Sequence, residues 1–370
     1  MKNRADPPYF RRSADDVRAL LRDGRLVAYR DDGLFARLSC FANAIRVSAK
    51  LGLPRPRGLW ETGDFSGNRV HGYRDTFADV FDWGECIDVA EVAQGGGEGA
   101  VFSWPFLCVL DDEDPDSVLQ ELVEIVSDLR LKAPYREPME RALEKLTATG
   151  PHVGVHCRAG DVEGKIEWMF RKGYPAAFWK MFFAEKAKAD SGERFYVASN
   201  SDGLRKKAAE SLWARSESLA DFLTLEELGD SQMAYDFADN RLFAAGESIV
   251  GCGYSSFVIF ACMRAGQFSR SPLQSISSEI AEAYLDLNDL WKGSYLADVS
   301  YLMGIELGES DSVTALKAKG YWVANDPGDR QVVGGLSRRL QRGFLRCKSL
   351  LKLGEGIESI RTRFYRISRW

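Results

Sequence analysis

The amino-acid sequence predicts an α/β protein in which parallel sheets carry helices on both faces. Strand-like apolar runs alternate with helical patterns along much of the chain, as repeated βαβ units require. Clusters of polar residues follow three of the predicted strands, at the edge where parallel sheets bind ligands. The chain has 370 residues, of which 45% are hydrophobic, so it is long enough for two domains.

The first half contains two predicted strands and three predicted helices. Residues 25–29 (RLVAY) form a short buried strand that ends in the turn RDDG. The apolar residues that follow recur at helical spacing, at Leu38, Phe41, Ala42, Ile45 and Ala49. Residues 101–110 are predicted as the second strand, and residues 117–132 and 137–150 as amphipathic helices.

The second half alternates more regularly between the two kinds of element. The sequence predicts strands at residues 153–157, 195–198 and 245–253 and helices at residues 176–188, 203–213 and 255–266. Because helices separate consecutive strands, we expect these strands to lie parallel in one sheet.

The end of the strand at residues 153–157 carries the stretch HVGVHCRAGDVEG, with two of the three histidines in the chain. His156 and Arg158 share one face of an extended segment. The guanidinium group of Arg158 suits a phosphate, Gly160 lets a backbone approach closely, and Asp161 could orient Arg158 or a ligand hydroxyl. The alternative is that His156 is a hydrogen-bonded structural histidine and Arg158 an ion-pair partner.

The other two strand ends also carry polar residues. Ser199, Asn200, Ser201 and Asp202 follow one strand, where an amide or carboxylate can hydrogen-bond a base or a ribose. In the stretch GCGYSSF, residues 251–257, glycines permit a tight turn and two serines open a helix whose N-terminus favours an anion. Ordinary helix capping is the alternative at both places.

The three strand ends and the first helix resemble the motifs of a known family. HCRAGD, YVASNSD and GYSSF resemble, in order, the three motifs of the fucosyltransferase superfamily, which includes α-1,2-, α-1,6- and protein O-fucosyltransferases. DDGLFARLSCFANAIRVSAKLG resembles the N-terminal turn and helix of that group. The resemblance implies two Rossmann-like domains of the GT-B type that face each other across a cleft. Residues 1–148 would form the acceptor side and residues 149–330 the donor side.

The resemblance also implies an inverting transfer from GDP-fucose that needs no metal or other cofactor. Arg158 would hold the diphosphate and stabilise its departing charge. The other donor contacts would come from His156, Gly160, Asp161, Asn200, Asp202, Ser255, Ser256, Phe257, Gly33 and Arg37. Asp32 stands where some protein O-fucosyltransferases place a catalytic carboxylate, which would take the proton of the acceptor hydroxyl. The sequence DDG is also an ordinary turn.

The chain departs from the family motifs at several positions. Phe35 and Ala36 replace the second glycine and the asparagine of the N-terminal turn. Asn200 stands where an aspartate is common, and Ala159 where a second basic residue often follows the arginine. These departures motivate two alternatives to a fucosyltransferase. One is the same fold with a different nucleotide-sugar donor, and the other is a degenerate protein that only binds nucleotide or glycan.

Charge and hydropathy bear on location and partners. The chain has no apolar run typical of a signal sequence or a membrane span, and its cysteines form no CxxC motif. We therefore expect a cytoplasmic protein, and the same observation favours a bacterial one. Residues 331–370 form a basic amphipathic tail with ten arginines and lysines against two glutamates. The tail either docks on the acidic body or binds an anionic membrane surface at the inner face of the cell membrane. Nucleic acid is not expected as a partner because the remainder is acidic.

Two further motifs have simpler explanations. Asp112, Glu113 and Asp114 match the D-x-D pattern by which other glycosyltransferases hold a metal. A solvated acidic loop before a helix is the alternative, with Asp114, Asp116 and Ser117 as possible caps of that helix. The loop QGGGEG lacks the Lys-Ser/Thr ending of a phosphate-binding P-loop. The sequence therefore predicts a glycosyltransferase whose partners are a GDP-sugar and a glycan acceptor.

Overall fold

A computed structural model gives the fold of the chain. It describes residues 9–30, 32–63, 72–93, 101–158, 176–189, 192–253, 255–270 and 272–276. Gly160, Asp161 and the predicted basic tail lie outside the described residues. Within these ranges the protein is an α/β protein whose mainly parallel sheets are flanked by helices. No helix in the described part is long and apolar enough to cross a membrane.

The first half builds a four-stranded sheet and two small strand pairs. Its strands are β1 (Tyr9–Arg12), β2 (Leu21–Arg22), β3 (Arg25–Tyr29), β4 (Arg57–Glu61), β5 (Phe81–Asp82), β6 (Asp88–Val92), β7 (Leu107–Leu110) and β8 (Arg130–Leu131). Its helices are α1 (Ala14–Arg18), α2 (Leu34–Lys50), α3 (Phe77–Val80), α4 (Pro115–Asp128) and α5 (Ala133–Ala148). The sheet order is β2-β3-β4-β6, with β3, β4 and β6 parallel and β2 antiparallel to β3. β1 pairs with β7 and β5 with β8.

The second half builds one parallel sheet. Its strands are β9 (Val153–Cys157), β10 (Phe195–Ser199), β11 (Ser216–Glu217) and β12 (Ser248–Val250), in the order β11-β10-β9-β12. Its helices are α6 (Ala176–Lys188), α7 (Asp202–Leu212), α8 (Gln232–Ala244) and α9 (Ser256–Ala265). Short 3₁₀ turns lie at Trp213–Arg215, Leu219–Asp221, Glu226–Leu228 and Pro272–Ser275. The parallel sheet predicted for this half is confirmed.

The two halves share buried apolar surface. α9 packs against α2 and α4 of the first half as well as against α8. Phe81 lies 5.1 Å from Phe237, measured between ring centroids. One cluster of buried apolar residues runs from the first half into the second. Helices of the two halves are therefore packed together, although the division into two domains at residues 148 and 149 stays a prediction.

Several element boundaries differ from the sequence prediction. The strand predicted over residues 101–110 is wrong in its first part, because only Leu107–Leu110 is a strand. Pro105 lacks an N–H to donate to a neighbouring strand, and Phe102 makes only an isolated bridge to Ala28. The strand predicted over residues 245–253 shortens to β12, and the helix predicted over residues 137–150 begins earlier, at Ala133.

Candidate functional site

The first predicted strand end lies at the centre of the second sheet. β9 ends at Cys157, and Arg158 follows it as a partly exposed residue. His156 is buried, with its ring stacked on Phe257 at a centroid distance of 4.7 Å and an interplanar angle of 16°. The ring of Phe243 lies edge-on to His156 at 6.2 Å. His156 therefore packs between two aromatic rings beneath the edge at which Arg158 lies.

The predicted strand end at residues 251–257 lies beside the end of β9. β12 pairs with β9, so the turn that follows β12 begins next to the end of β9. At Gly251 a Cβ atom would lie 2.8 Å from Cγ2 of Val258 and 3.3 Å from Cβ of His156. Only a glycine fits so close an approach. The turn thus brings the N-terminus of α9 to the same sheet edge as Arg158.

Ser255 is the N-cap residue of α9, but its side chain makes no capping hydrogen bond. The residue is fully buried, and its Oγ has no hydrogen-bond partner among the described residues. Capping, the alternative that the sequence left open, is therefore wrong for Ser255. The first backbone N–H groups of a helix and its dipole favour an anion, and a buried hydroxyl beside them adds a donor. Ser256 and Phe257 form the first turn of α9 and are both partly buried.

The predicted strand end at residues 199–202 makes structural contacts with part of its polar groups. The hydroxyl of Ser199 donates to the carbonyl oxygen of Cys157 at 2.5 Å and thereby ties β10 to β9. Asp202 is exposed and forms an ion pair with Arg205. Asn200 is exposed at the same edge. The roles of Asn200 and Asp202 toward a guanosine stay predictions.

The turn between β3 and α2 faces this edge from the first half. The guanidinium group of Arg30 donates two hydrogen bonds to the carboxylate of Asp32. One runs from Nε to Oδ1 at 2.8 Å, and the other from Nη2 to Oδ2. Gly33 is the N-cap residue of α2. In the first turn of α2, the ring of Phe35 meets the ring of Phe257 edge-on, with 5.0 Å between centroids. The N-termini of α2 and α9 therefore touch, and Asp32 lies beside the contact.

Arg37 is an interior residue that supports this turn. It is 1% exposed, and its Nε donates to the backbone oxygen of Asp32 at 2.8 Å. Its Nη1 donates to the backbone oxygen of Glu61, and its guanidinium lies over the ring of Trp60. Burial lowers the pKa of Arg37 to about 10. Tyr29 donates to the Glu61 carboxylate at 2.5 Å, so Arg37 and Glu61 hold the ends of β3 and β4 together.

The structure adds polar residues that sequence reasoning missed. The hydroxyl of Tyr73 donates to Asp236 at 2.6 Å across the two halves, and burial raises the pKa of Tyr73. Ser231 donates to Asp75 at 2.5 Å in the same region. Glu61, which is 1% exposed, ends the apolar strand RGLWE and could have been noticed from that position. The pairs between halves join residues more than 150 positions apart, which no local pattern indicates.

The acidic turn between β7 and α4 is structural. Asp114 is the N-cap residue of α4 and accepts from the backbone N–H of Ser117 at 3.0 Å, so the capping explanation is confirmed. Glu113 forms a buried ion pair with Arg46, with contacts of 2.8 and 2.9 Å. Burial alone would raise the pKa of Glu113, but the hydrogen bonds from Arg46 and from the backbone N–H of Leu110 outweigh it and lower the pKa.

Comparisons with known proteins give weak structural matches. No family model matches the sequence, and no curated protein is similar to it. The crystal structure of the fucosyltransferase NodZ from Bradyrhizobium has a TM-score of 0.37 and 11% identity, over 65% of this chain and 93% of that one. NodZ α-1,6-fucosyltransferase soaked with GDP-fucose gives 0.38 and 12%, over 65% and 92%. POFUT1 in complex with GDP gives 0.30 and 14%, over 50% and 54%.

The described residues thus bring three chemical features to facing sheet edges. The N-terminus of α9 offers backbone N–H groups and the buried hydroxyl of Ser255, and Arg158 follows the adjacent strand. On the facing turn, Asp32 provides a carboxylate that Arg30 orients. Donors and a cation on one side suit a phosphate group, and a fixed carboxylate on the other suits proton transfer from a hydroxyl.

Proposed function

We propose that this chain is a glycosyltransferase that transfers fucose from GDP-fucose to a glycan acceptor with inversion. The observation that carries the proposal is a buried polar group at the edge shared by β9 and β12. There Ser255 places a fully buried hydroxyl at the start of α9, beside the strand that ends before Arg158. Within the described part of the chain this hydroxyl has no hydrogen-bond partner. The motif resemblance at this edge supports the choice of a GDP-sugar as the ligand.

In the proposed reaction, the second half holds the donor. Arg158 and the N-terminus of α9 bind the diphosphate, and they stabilise the negative charge that it gains as the bond to the sugar breaks. The glycosyl transition state has oxocarbenium character, so a fixed cation at the leaving group lowers the barrier. His156 supports this side indirectly, since its stacked ring fixes Phe257 in the first turn of α9.

The first half supplies the acceptor side of the reaction. Asp32 takes the proton from the acceptor hydroxyl as that oxygen attacks the anomeric carbon, and the diphosphate leaves from the opposite face. The side chain of Arg30 orients the carboxylate of Asp32, and the side chain of Arg37 fixes the backbone oxygen of Asp32. Proton acceptance and leaving-group stabilisation thus come from different halves of the molecule.

Two alternatives follow from the departures in the motifs. A different nucleotide-sugar donor would use the same phosphate-binding edge, because its backbone N–H groups and Arg158 do not select the sugar. A protein that only binds would retain the edge without turnover. Phe35, in the position of a family glycine, occupies space beside Phe257 and motivates this second alternative.

Turnover of donor sugars tests the proposal. The full chain is incubated with GDP-fucose, other GDP-sugars and UDP-sugars, with and without glycan acceptors, and the released nucleoside diphosphate is measured. We expect release from GDP-fucose that EDTA does not affect and that Arg158→Ala reduces at least a hundredfold, the effect typical of a lost electrostatic contact to developing charge.

The matched control is Arg55→Ala, which removes an arginine paired with Asp88 at the other end of the first sheet. This variant should turn over GDP-fucose like the wild type. Equal turnover by Arg158→Ala would contradict the assignment of Arg158. GDP binding without release of any sugar would support the binding-only alternative.

A further inference from the structure

A buried amide on α8 contacts the first turn of α9. Asn240 is fully buried, and its Nδ2 donates to the carbonyl oxygen of Phe257 at 2.7 Å. Because a carbonyl oxygen only accepts, this contact fixes which end of the amide faces α9. Phe243, one turn further along α8, adds a ring contact to Phe257 with 5.2 Å between centroids. α8 thus holds both the backbone and the side chain of Phe257.

The stability of the fold does not explain an asparagine at position 240. The Oδ1 atom of Asn240 is buried and has no hydrogen-bond partner among the described residues. A buried acceptor without a partner lowers stability, whereas a leucine of similar size would fill the same space without that cost. The hydrogen bond to Phe257 is therefore the feature that an apolar residue could not supply.

The peptide group between Phe257 and Val258 links this hydrogen bond to the proposed phosphate site. The bond is trans, so the carbonyl group of Phe257 and the N–H group of Val258 point in opposite directions. The first N–H groups of a helix have no acceptor within it, and that of Ser255 donates to the carbonyl oxygen of Cys252 at 2.9 Å. The next three N–H groups, of residues 256–258, are those that can face an anion.

We propose that Asn240 is a positioning residue for the diphosphate-binding turn of α9, an inference that rests on the proposed function. Its hydrogen bond fixes the plane of the peptide group and thereby directs the N–H group of Val258 out of the N-terminus of α9. Donation to the carbonyl end of a peptide group also polarises the group, which strengthens its N–H as a donor. Asn240 thus acts on the diphosphate through the backbone.

Calorimetric titration of the full chain with GDP tests the proposal. We expect Asn240→Leu to bind GDP about fivefold more weakly than the wild type, while its urea midpoint stays the same or rises. The matched control is Asn43→Leu, because Asn43 is also fully buried and donates to carbonyl oxygens, those of Trp104 and Phe106 in the first half. The control should lose stability but keep its affinity for GDP. Circular dichroism verifies folding, and Asn240→Ala and Asn43→Ala form the pair if a leucine variant does not fold.

The amide signal of Val258 gives a readout that a merely structural role would not change. It is recorded by NMR on the full chain labelled with ¹⁵N-valine, and its absence in Val258→Ile assigns it. In the wild type we expect the amide proton to move downfield on addition of GDP, because the N–H group donates to a charged oxygen. In Asn240→Leu the movement at saturating GDP should be smaller.

The outcomes separate this inference from the proposed function. If the wild type does not bind GDP, the proposed function is contradicted and the inference falls with it. If the wild type binds GDP and Asn240→Leu binds it equally well, only the inference is overturned. A Val258 signal that GDP does not move in the wild type, or moves equally in both proteins, would also overturn the inference alone.

Discussion

Ser255 combines two properties at the scale of a single residue that rarely occur together. Its hydroxyl is fully buried, and it neither caps the helix that it precedes nor hydrogen-bonds any other group that the structure describes. A buried polar group without a partner costs about 1–3 kcal/mol. A ligand oxygen at the N-terminus of α9 would recover that cost, which is the physical reason to place a phosphate there.

Ser255→Ala should therefore separate stability from binding. We expect the urea midpoint to stay the same or rise slightly, because an unsatisfied hydroxyl is removed, and GDP affinity to fall roughly tenfold, as for one hydrogen bond to a charged group. The matched control is Ser48→Ala in α2, which also removes a buried hydroxyl without a partner but lies away from the site. Similar losses of GDP affinity in both variants would contradict the role of Ser255.

The sequence indicates the residues at strand ends but not their supporting contacts. His156, Arg158 and Ser255 follow apolar runs in the chain, so their common sheet edge could be predicted. Their partners could not be predicted, because Phe257 stacks on His156 from another strand–helix unit. The burial of Arg37 could not be predicted either, because one of its hydrogen-bond acceptors is a backbone oxygen at the end of β4, distant in the chain.

At the scale of elements, local apolar patterns predicted β3, β9, β10, α6, α7 and α9 closely. β4, β6 and α8 were missed. α8 (QMAYDFADNRLFA) carries Asp236, Asp239 and Asn240 among its buried apolar residues, so it lacks a single apolar face. Each of these three side chains has a hydrogen-bond partner in another element. Asp236 and Asp239 accept from tyrosine hydroxyls, and Asn240 donates to the carbonyl oxygen of Phe257.

Gly154 tests the packing of β9 against α8. A Cβ atom at this position would lie 2.6 Å from the backbone oxygen of Phe243 and 2.9 Å from its ring. We expect Gly154→Ala to lower the free energy of unfolding by about 1–3 kcal/mol, measured by urea denaturation, because backbone must move to admit the methyl group. Gly203→Ala, where the nearest atom is 3.7 Å away in a helix, should instead gain about 0.5–1 kcal/mol.

Asp239 gives the contact between β10 and α8 a dependence on pH. Burial raises its pKa to about 7, although the hydroxyl of Tyr196 donates to it at 2.6 Å. The folded state thus favours the protonated acid, so this stabilisation is complete below the usual aspartate pKa near 4 and is lost as the pH rises toward 7.

Replacement of Asp239 by asparagine should remove this titration. We expect the free energy of unfolding of the wild type to fall, relative to that of Asp239→Asn, between pH 4.5 and about pH 7.5 in urea titrations, following the sign of the linkage relation. Asp15→Asn, which removes one exposed carboxylate from α1, is the control for the loss of an acid. A constant difference between the wild type and Asp239→Asn across this range would contradict the assignment.

At the scale of the whole molecule, the contact between the two helix N-termini decides how the halves are arranged. Phe35 and Phe257 meet edge-on, and Tyr73 donates a second contact between the halves, to Asp236. Such contacts bring Asp32 of the first half close to the N-terminus of α9, where we propose that the diphosphate binds. The motifs in the sequence predicted which residues lie at the two sheet edges. They did not predict that Phe35, which stands where the family has a glycine, packs against Phe257.

A double-mutant cycle measures this contact. Phe35→Ala and Phe257→Ala should show a coupling of about 0.5–1.5 kcal/mol in the free energy of unfolding, as expected for an edge-to-face aromatic pair. Phe35→Ala combined with Phe182→Ala, whose ring packs with Trp179 and Phe183, should be additive. Additivity in both cycles would contradict direct packing between the halves.

The central claim is that the edge formed by β9, β12 and α9 binds the diphosphate of a guanosine nucleotide. Calorimetric titration of the full chain and of Arg158→Ala with GDP, UDP and ADP tests it most directly. The account predicts preferential binding of GDP by the wild type and at least tenfold weaker binding by Arg158→Ala, since charge-assisted contacts to phosphate contribute the most. Absence of binding for all three nucleotides, or equal GDP affinity in the two proteins, would contradict it.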